Sequence, residues 1–252
     1  MASFTNSPDT LTLPITLSGT CTVGATGGFP ACIGSFDATL TDGTGTTYSP
    51  RCIEIGNTAS QIYSESVTCP VTFPPLGPGD TATIGFWHNK NGQAVIEALN
   101  GSASSTALAT WLATNFPHLF GKLAGDTNTE VAAAYETAFG NVGGVQRNTY
   151  AQVFSTALAS YATSTTLAGS DPLAGHFGFN TSPGGTGAKS YNVGSDGAAA
   201  GVANGTSLTV AQLLAIANMN YNSTTGLFYA GNQALTSMLN DIFNGINQGG
   251  DI

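Results

Sequence analysis

The hydrophobic period of this chain changes once, and that change limits the folds open to it. Through residue 86 apolar side chains recur at every second position, and from Gly92 onward they recur every three to four. A period of two marks strands with one buried face, whereas a period near 3.6 marks helices with one buried stripe. Residues 10–17 alternate without a fault: Leu11, Leu13, Ile15 and Leu17 point one way, Thr10, Thr12, Pro14 and Thr16 the other. Pro14 donates no hydrogen bond, which places this strand at a sheet edge. Phe36, Ala38 and Leu40 alternate next, and Asp42-Gly43-Thr44-Gly45 carries turn chemistry before a run at 46–48. Residues 51–55 and 61–71 complete a set of about seven short strands, a number that suggests a β-sandwich. Pro74-Pro75-Leu76-Gly77-Pro78-Gly79 reads as a stiff linker near a domain boundary.

The helical part is patterned as clearly. Leu108, Trp111, Leu112 and Phe116 form one stripe, and Val131, Ala134, Tyr135, Ala138 and Phe139 form another. Tyr150, Val153, Phe154, Ala157, Leu158 and Tyr161 give the most regular helical spacing; Leu235, Met238, Leu239, Ile242, Phe243 and Ile246 repeat it near the C-terminus. A shorter stripe runs through Val210, Leu213, Leu214 and Ala217. Thr127-x-x-Glu130 and Thr209-x-x-Gln212 are capping boxes where two helices should start. Between residues 164 and 207 no period holds and glycine recurs, which marks an irregular insertion. The expected fold class is therefore α+β: a disulfide-braced β-sandwich over residues 1–80, then a mainly helical bundle over 81–252 with a Gly-rich loop at 164–207.

Composition narrows function. Only 8% of the 252 residues are charged, and 14 acidic against 5 basic side chains leave a net charge of −9. Five scattered basic residues make no nucleic-acid footprint. No apolar run approaches the ~20 residues of a membrane span. The cysteines, Cys21, Cys32, Cys52 and Cys69, are even in number and confined to the β segment. That distribution reads as two disulfides in an oxidising compartment, so the expected location is extracellular or at the cell surface. Of the three connectivities, Cys21–Cys32 with Cys52–Cys69 closes the shortest loops. A zinc site is the competing reading, but no C-x2-C knuckle occurs.

Three segments carry a resemblance: Thr83-Ile84-Gly85-Phe86-Trp87-His88-Asn89-Lys90-Asn91-Gly92-Gln93; Gly187-Ala188-Lys189-Ser190-Tyr191-Asn192-Val193-Gly194 with Gly201-Val202-Ala203-Asn204; and Phe243-Asn244-Gly245-Ile246-Asn247-Gln248. Together they resemble an uncharacterised module of large secreted bacterial cell-surface proteins, across residues 80–252. The first 80 residues are similar only in general terms to an immunoglobulin-like extracellular β repeat. The resemblance implies a bacterial, secreted, surface or matrix setting and brings no catalytic residues with it.

Chemistry-bearing motifs are sparse. His88, His118 and His176 are the only imidazoles, and their spacing fits no metal-ligand pattern. Gly184-Gly185-Thr186-Gly187-Ala188-Lys189-Ser190 lacks the G-x4-G spacing of a phosphate loop and has Ala188 where the glycine before lysine belongs. No cofactor, catalytic residue or metal site is expected. The densest polar cluster surrounds His88 and Lys90, with Glu97 seven residues beyond Lys90. Trp87, His88, Lys90 and Tyr191 are the binding candidates, for instance toward a glycan. The expected function is a structural or adhesive subunit of an extracellular filament, surface layer or matrix. It would self-associate, and its N-terminal strand carrying Leu11, Leu13, Ile15 and Leu17 would either complete its own sheet or be exchanged into a neighbour's. The alternative is a secreted enzyme or carbohydrate-binding module with its site near His88 and the 164–207 loop.

Overall fold

A computed structural model describes residues 73–169 and 172–252 in full, and in the first 72 residues the backbone of five strands. The chain divides into two compact units, Met1–Thr72 and Phe73–Ile252. In the first, β1 (Thr22–Thr26), β2 (Phe29–Asp37) and β5 (Arg51–Ile55) form an antiparallel sheet in the order β1-β2-β5, while β3 (Leu40–Thr41) and β4 (Thr47–Tyr48) pair as a two-stranded ribbon. This corrects the expected β-sandwich: among the described residues the sheets are small, no sandwich is shown, and the chain is mostly helical. Period-two alternation reports that one face of a strand is buried and does not say what buries it, so a single small sheet carries the same signature as half of a sandwich. The strand-exchange candidates Leu11, Leu13, Ile15 and Leu17 lie outside the described residues, as do Cys21 and Cys69. Cys32 sits in β2 opposite Val23, and Cys52 in β5 opposite Phe36.

The second unit contains α1 (Ile84–His88), α2 (Lys90–Ala98), α3 (Ala107–Asn115), α4 (Pro117–Phe120), α5 (Asn128–Gly140), α6 (Val145–Ala162), α7 (Thr165–Ala168), α8 (Val210–Met219) and α9 (Gln233–Gly249). Short antiparallel pairs join β6 (Ser190–Asn192) to β7 (Ser207–Thr209) and β8 (Tyr221–Asn222) to β9 (Leu227–Phe228). Among the described residues no helix is long and apolar enough to cross a membrane.

Helix α6 is the axis of the unit. Every residue from Ala151 to Ala162 is buried, although the sequence shows a stripe on one side only. Apart from Gln152, the other faces are Ala, Ser and Thr, small enough for neighbouring backbones to approach. Their hydroxyls turn back onto the helix: Thr156 Oγ1 donates to Gln152 O (3.1 Å), Ser160 Oγ to Thr156 O (2.8 Å) and Thr163 Oγ1 to Ala159 O (2.7 Å). The most extensive helix–helix contact is between α6 and α9. Its polar seam contains no charge. Asn247, 1% exposed, donates from Nδ2 to Gln152 O (3.0 Å) and Gln152 Oε1 (2.8 Å), and its Oδ1 accepts from Thr156 Oγ1 (2.8 Å). Gln152 Nε2 donates to Asn244 Oδ1 (3.0 Å).

The proline-rich stretch is tied into this unit rather than free. Ser190 N donates to Pro74 O (2.8 Å), Leu76 N to Ser190 O (2.9 Å), Gly79 N to Asp251 O (3.2 Å) and Thr81 N to Gly250 O (2.8 Å). Asp80, 2% exposed, accepts from Gly77 N at Oδ2 (2.9 Å), and its Oδ1 faces Asn180 Nδ2 (3.2 Å) and Lys189 Nζ (3.3 Å). Within the glycine-rich stretch, Thr186 N donates to Thr163 Oγ1 (2.8 Å) and Ser182 N to Thr163 O (3.0 Å). The segment is thus sewn onto the C-terminal end of α6.

Candidate functional site

The site is built where α1, α2 and α5 meet. The side-chain oxygen of Asn89 accepts from Asn91 N (2.8 Å) and Gly92 N (3.1 Å), capping α2 so that Lys90 is its first residue. A Cβ on Gly92 would lie 2.4 Å from the Trp87 Cα and 2.2 Å from the Phe86 carbonyl oxygen. The α1–α2 corner is that tight, and it holds His88 at the head of α2. Alternation had carried strand character through residue 86, yet residues 84–88 are helical. Here packing decides, because Phe86 and Trp87 both close on Phe179, with ring centroids 5.2 and 5.6 Å away.

Helix α5 starts at the capping box read from the sequence. Thr127 Oγ1 accepts from Glu130 N (3.3 Å), and Glu130 Oε2 accepts from Thr127 N (2.7 Å). These bonds hold the Glu130 carboxyl below its ordinary value, the Thr127 backbone N–H being the larger cause and its hydroxyl the smaller. Asn128 Nδ2 donates to Leu99 O (2.7 Å) just beyond the C-terminal end of α2, and Tyr135 Oη donates to Ile84 O (2.9 Å) in α1. The two helices therefore run antiparallel. Burial drives the Tyr135 phenol well above its ordinary range, so it stays a neutral donor.

Between α2 and α5 lies an open groove of about 590 Å³. Lys90, Gln93, Ala94 and Glu97 form its α2 wall, and Thr129, Ala132, Ala133 and Glu136 its α5 wall. Each set has the spacing i, i+3, i+4, i+7 that aligns residues on one helix face. Alanines sit in the middle of both walls, and His88 closes the end beside Lys90. The His88 ring stacks on Phe139, with centroids 4.1 Å apart at 22°. Among the described residues neither Lys90 nor the two glutamates has an ion-pair partner; the one side-chain pair is Lys189–Asp80.

Two of the four sequence-selected binding candidates line this groove, His88 and Lys90; Trp87 and Tyr191 do not. Trp87 is 0% exposed, and its Nε1 has no hydrogen-bond partner among the described residues. Tyr191 is half-buried in β6 with its hydroxyl against Gly245 of α9. Sequence reading missed Gln93, Thr129 and Glu136 as groove residues. Their signal was a small-and-polar stripe on α5 opposite the Val131–Tyr135–Ala138 core stripe, which by itself reads as a solvated face. The other histidines lie elsewhere: His118 Nδ1 is 3.0 Å from Asn218 O, and His176 falls in the turn Leu173–Phe177. Among the described residues no group of three or more His, Cys, Asp or Glu is placed to hold a metal ion. No family model, curated protein or solved structure matches the chain.

Proposed function

We propose that the chain is a structural and adhesive subunit that works outside the cell, in a surface layer, matrix or filament. The observation that carries this reading is the uncharged seam between α6 and α9, which is closed by amides and hydroxyls, so neither proton binding nor salt screening acts on it directly. Such a seam suits a protein exposed to an environment that no cell buffers. A surface with few charges resists self-association weakly, and hydroxyl and amide groups on it can bond to a neighbouring copy at about 1 kcal/mol each. The resemblance to secreted bacterial surface modules and the even, clustered cysteines support the same setting. Light scattering and electron microscopy over rising concentration test it. Growth into extended or layered particles is the expected result, and a monomer at high concentration overturns the assembly.

A further inference from the structure

We propose that the α2–α5 groove is the adhesive site and that its ligand is a neutral, hydroxyl-rich oligosaccharide; this rests on the adhesive part of the function proposed above. Three observations converge on that ligand class. First, Lys90, Glu97 and Glu136 line the groove with no ion-pair partner among the described residues, in a chain of which only 8% is charged. The ammonium donates and the carboxylates accept, so one short stretch offers both halves of what a vicinal diol needs, and hydrogen bonds to charged groups are the stronger kind. Thr129 and the Gln93 Oε1 add neutral groups; Gln93 is held in place by its Nε2 donating to Trp87 O (2.8 Å).

Second, His88 is exposed and has one ring face covered by Phe139 at 4.1 Å. The stack holds the imidazole flat at the end of the groove. The C–H face of a sugar ring is weakly positive and lies well on such a π-surface. Third, alanines occupy the middle of both walls and the groove is open. It has no apolar pocket to receive a large peptide side chain, the feature that anchors most peptide recognition. The groove's volume is within the ~300–1,000 Å³ of small-ligand sites. Two carboxylates to one ammonium, on a chain of net charge −9, turn away anionic ligands.

The test uses the full chain with cellotriose, maltotriose and chitotriose as probes and the tripeptide Lys-Ala-Glu as the peptide control. Binding is followed by calorimetry and by amide shifts in the ¹⁵N-labelled protein. The expected result is saturable binding of at least one sugar, with shifts confined to residues 88–97 and 129–136. His88→Ala and Glu136→Gln should each weaken it about tenfold or more, the loss expected for one charged hydrogen bond or one ring contact. Both side chains are exposed, and an unchanged melting temperature shows that the variants remain folded. No saturable binding of any of the three sugars overturns the proposal, as do shifts elsewhere, binding unaffected in both variants, or shifts in the groove with the tripeptide alone. Light scattering on the same samples separates the two readings. A parent that assembles but binds no sugar removes only the groove assignment, and a monomeric parent that binds sugar removes only the assembly.

Discussion

A missing Cβ on Gly92 lets the first turn of α2 rest on the backbone of α1, and no side-chain movement can make room there, because the atoms at 2.2 and 2.4 Å belong to the main chain. Helix propensity favours alanine over glycine by about 1 kcal/mol, but overpacking against backbone costs about 3 kcal/mol. Gly92→Ala should therefore lower stability clearly in chemical denaturation. Gly245 provides the contrast. Its Cβ would meet only the end of the Tyr191 side chain, which is half-buried and packs against the core but can give where main chain cannot, so Gly245→Ala should cost less than Gly92→Ala. Equal losses for the two variants would contradict this account of the corner. Glu130 sets a pH dependence. Its folded-state carboxyl is held below the ordinary value of 4.5 by the Thr127 backbone and hydroxyl. A depressed carboxylate stabilises above its unfolded pKa, and the contribution is lost as pH falls through the folded value. Denaturation midpoints at about pH 6 and pH 3 should drop less in Glu130→Gln than in the parent, and parallel drops would remove Glu130 from the acid response.

At the scale of elements, the α6–α9 seam and the tether of the glycine-rich segment differ in kind. Asn247 serves two acceptors and one donor, all buried. Asn247→Ala strands Gln152 Oε1, while Thr156 Oγ1 keeps its bond to Gln152 O, and a buried orphan costs about 1–3 kcal/mol. A loss of about 2 kcal/mol, unchanged between low and high salt, is expected. A salt-dependent loss would mean that the seam is not the neutral structure described. The Asp80–Lys189 pair is asymmetric: the carboxylate side chain is 3% exposed and the lysine 23%. Lys189→Met leaves a buried anion held only by Gly77 N and Asn180 Nδ2, while Asp80→Asn leaves a cation that can reach water. Lys189→Met should be the more damaging change, by about 1 kcal/mol or more after discounting for the exposed lysine end. The reverse order in thermal melts would show that Lys189 does not hold the segment.

For the whole molecule, the pairing of the cysteines and the exchange of an N-terminal strand are proposals that experiment can decide. In the β1-β2-β5 register Cys32 and the residue opposite Cys52 are four positions apart along β2. That is about 13 Å at ~3.3 Å per residue, beyond the ~7 Å limit for a bridge. The register thus removes Cys32–Cys52 and leaves two of the three connectivities. Two bridges should place the intact mass about four hydrogens below the reduced formula, and peptide mapping should find Cys32 joined to Cys21 or Cys69. Four titratable thiols in native protein would exclude the bridges. Deletion of residues 1–18 tests strand exchange. A truncated chain that folds but no longer assembles shows a donated strand, and one that assembles like the parent shows that assembly uses another surface.

The sequence by itself determined what depends on neighbours a few positions away. The capping boxes at Thr127 and Thr209 are present as read, and the stripes of α6 and α9 lie on their helices. The seven-residue spacing of Lys90 and Glu97 was legible, but the helical period was read only from Gly92 onward, and α2 begins at Lys90. Tertiary structure decided the rest. Trp87 stands amid polar residues and looked like part of a binding surface, but Phe86 and Phe179 close over it. The α5 wall of the groove became a wall only when Asn128 and Tyr135 anchored that helix antiparallel to α2. Gln152 and Asn247, 95 residues apart, met only when α6 and α9 packed. The sandwich expectation failed for the same reason, since alternation along a strand records a buried face and not its cover. Periodicity and capping are energies of one turn or one strand, carried by adjacent residues. Which faces meet is settled by burial and hydrogen-bond satisfaction among segments far apart in the chain, and a single sequence does not record those pairings.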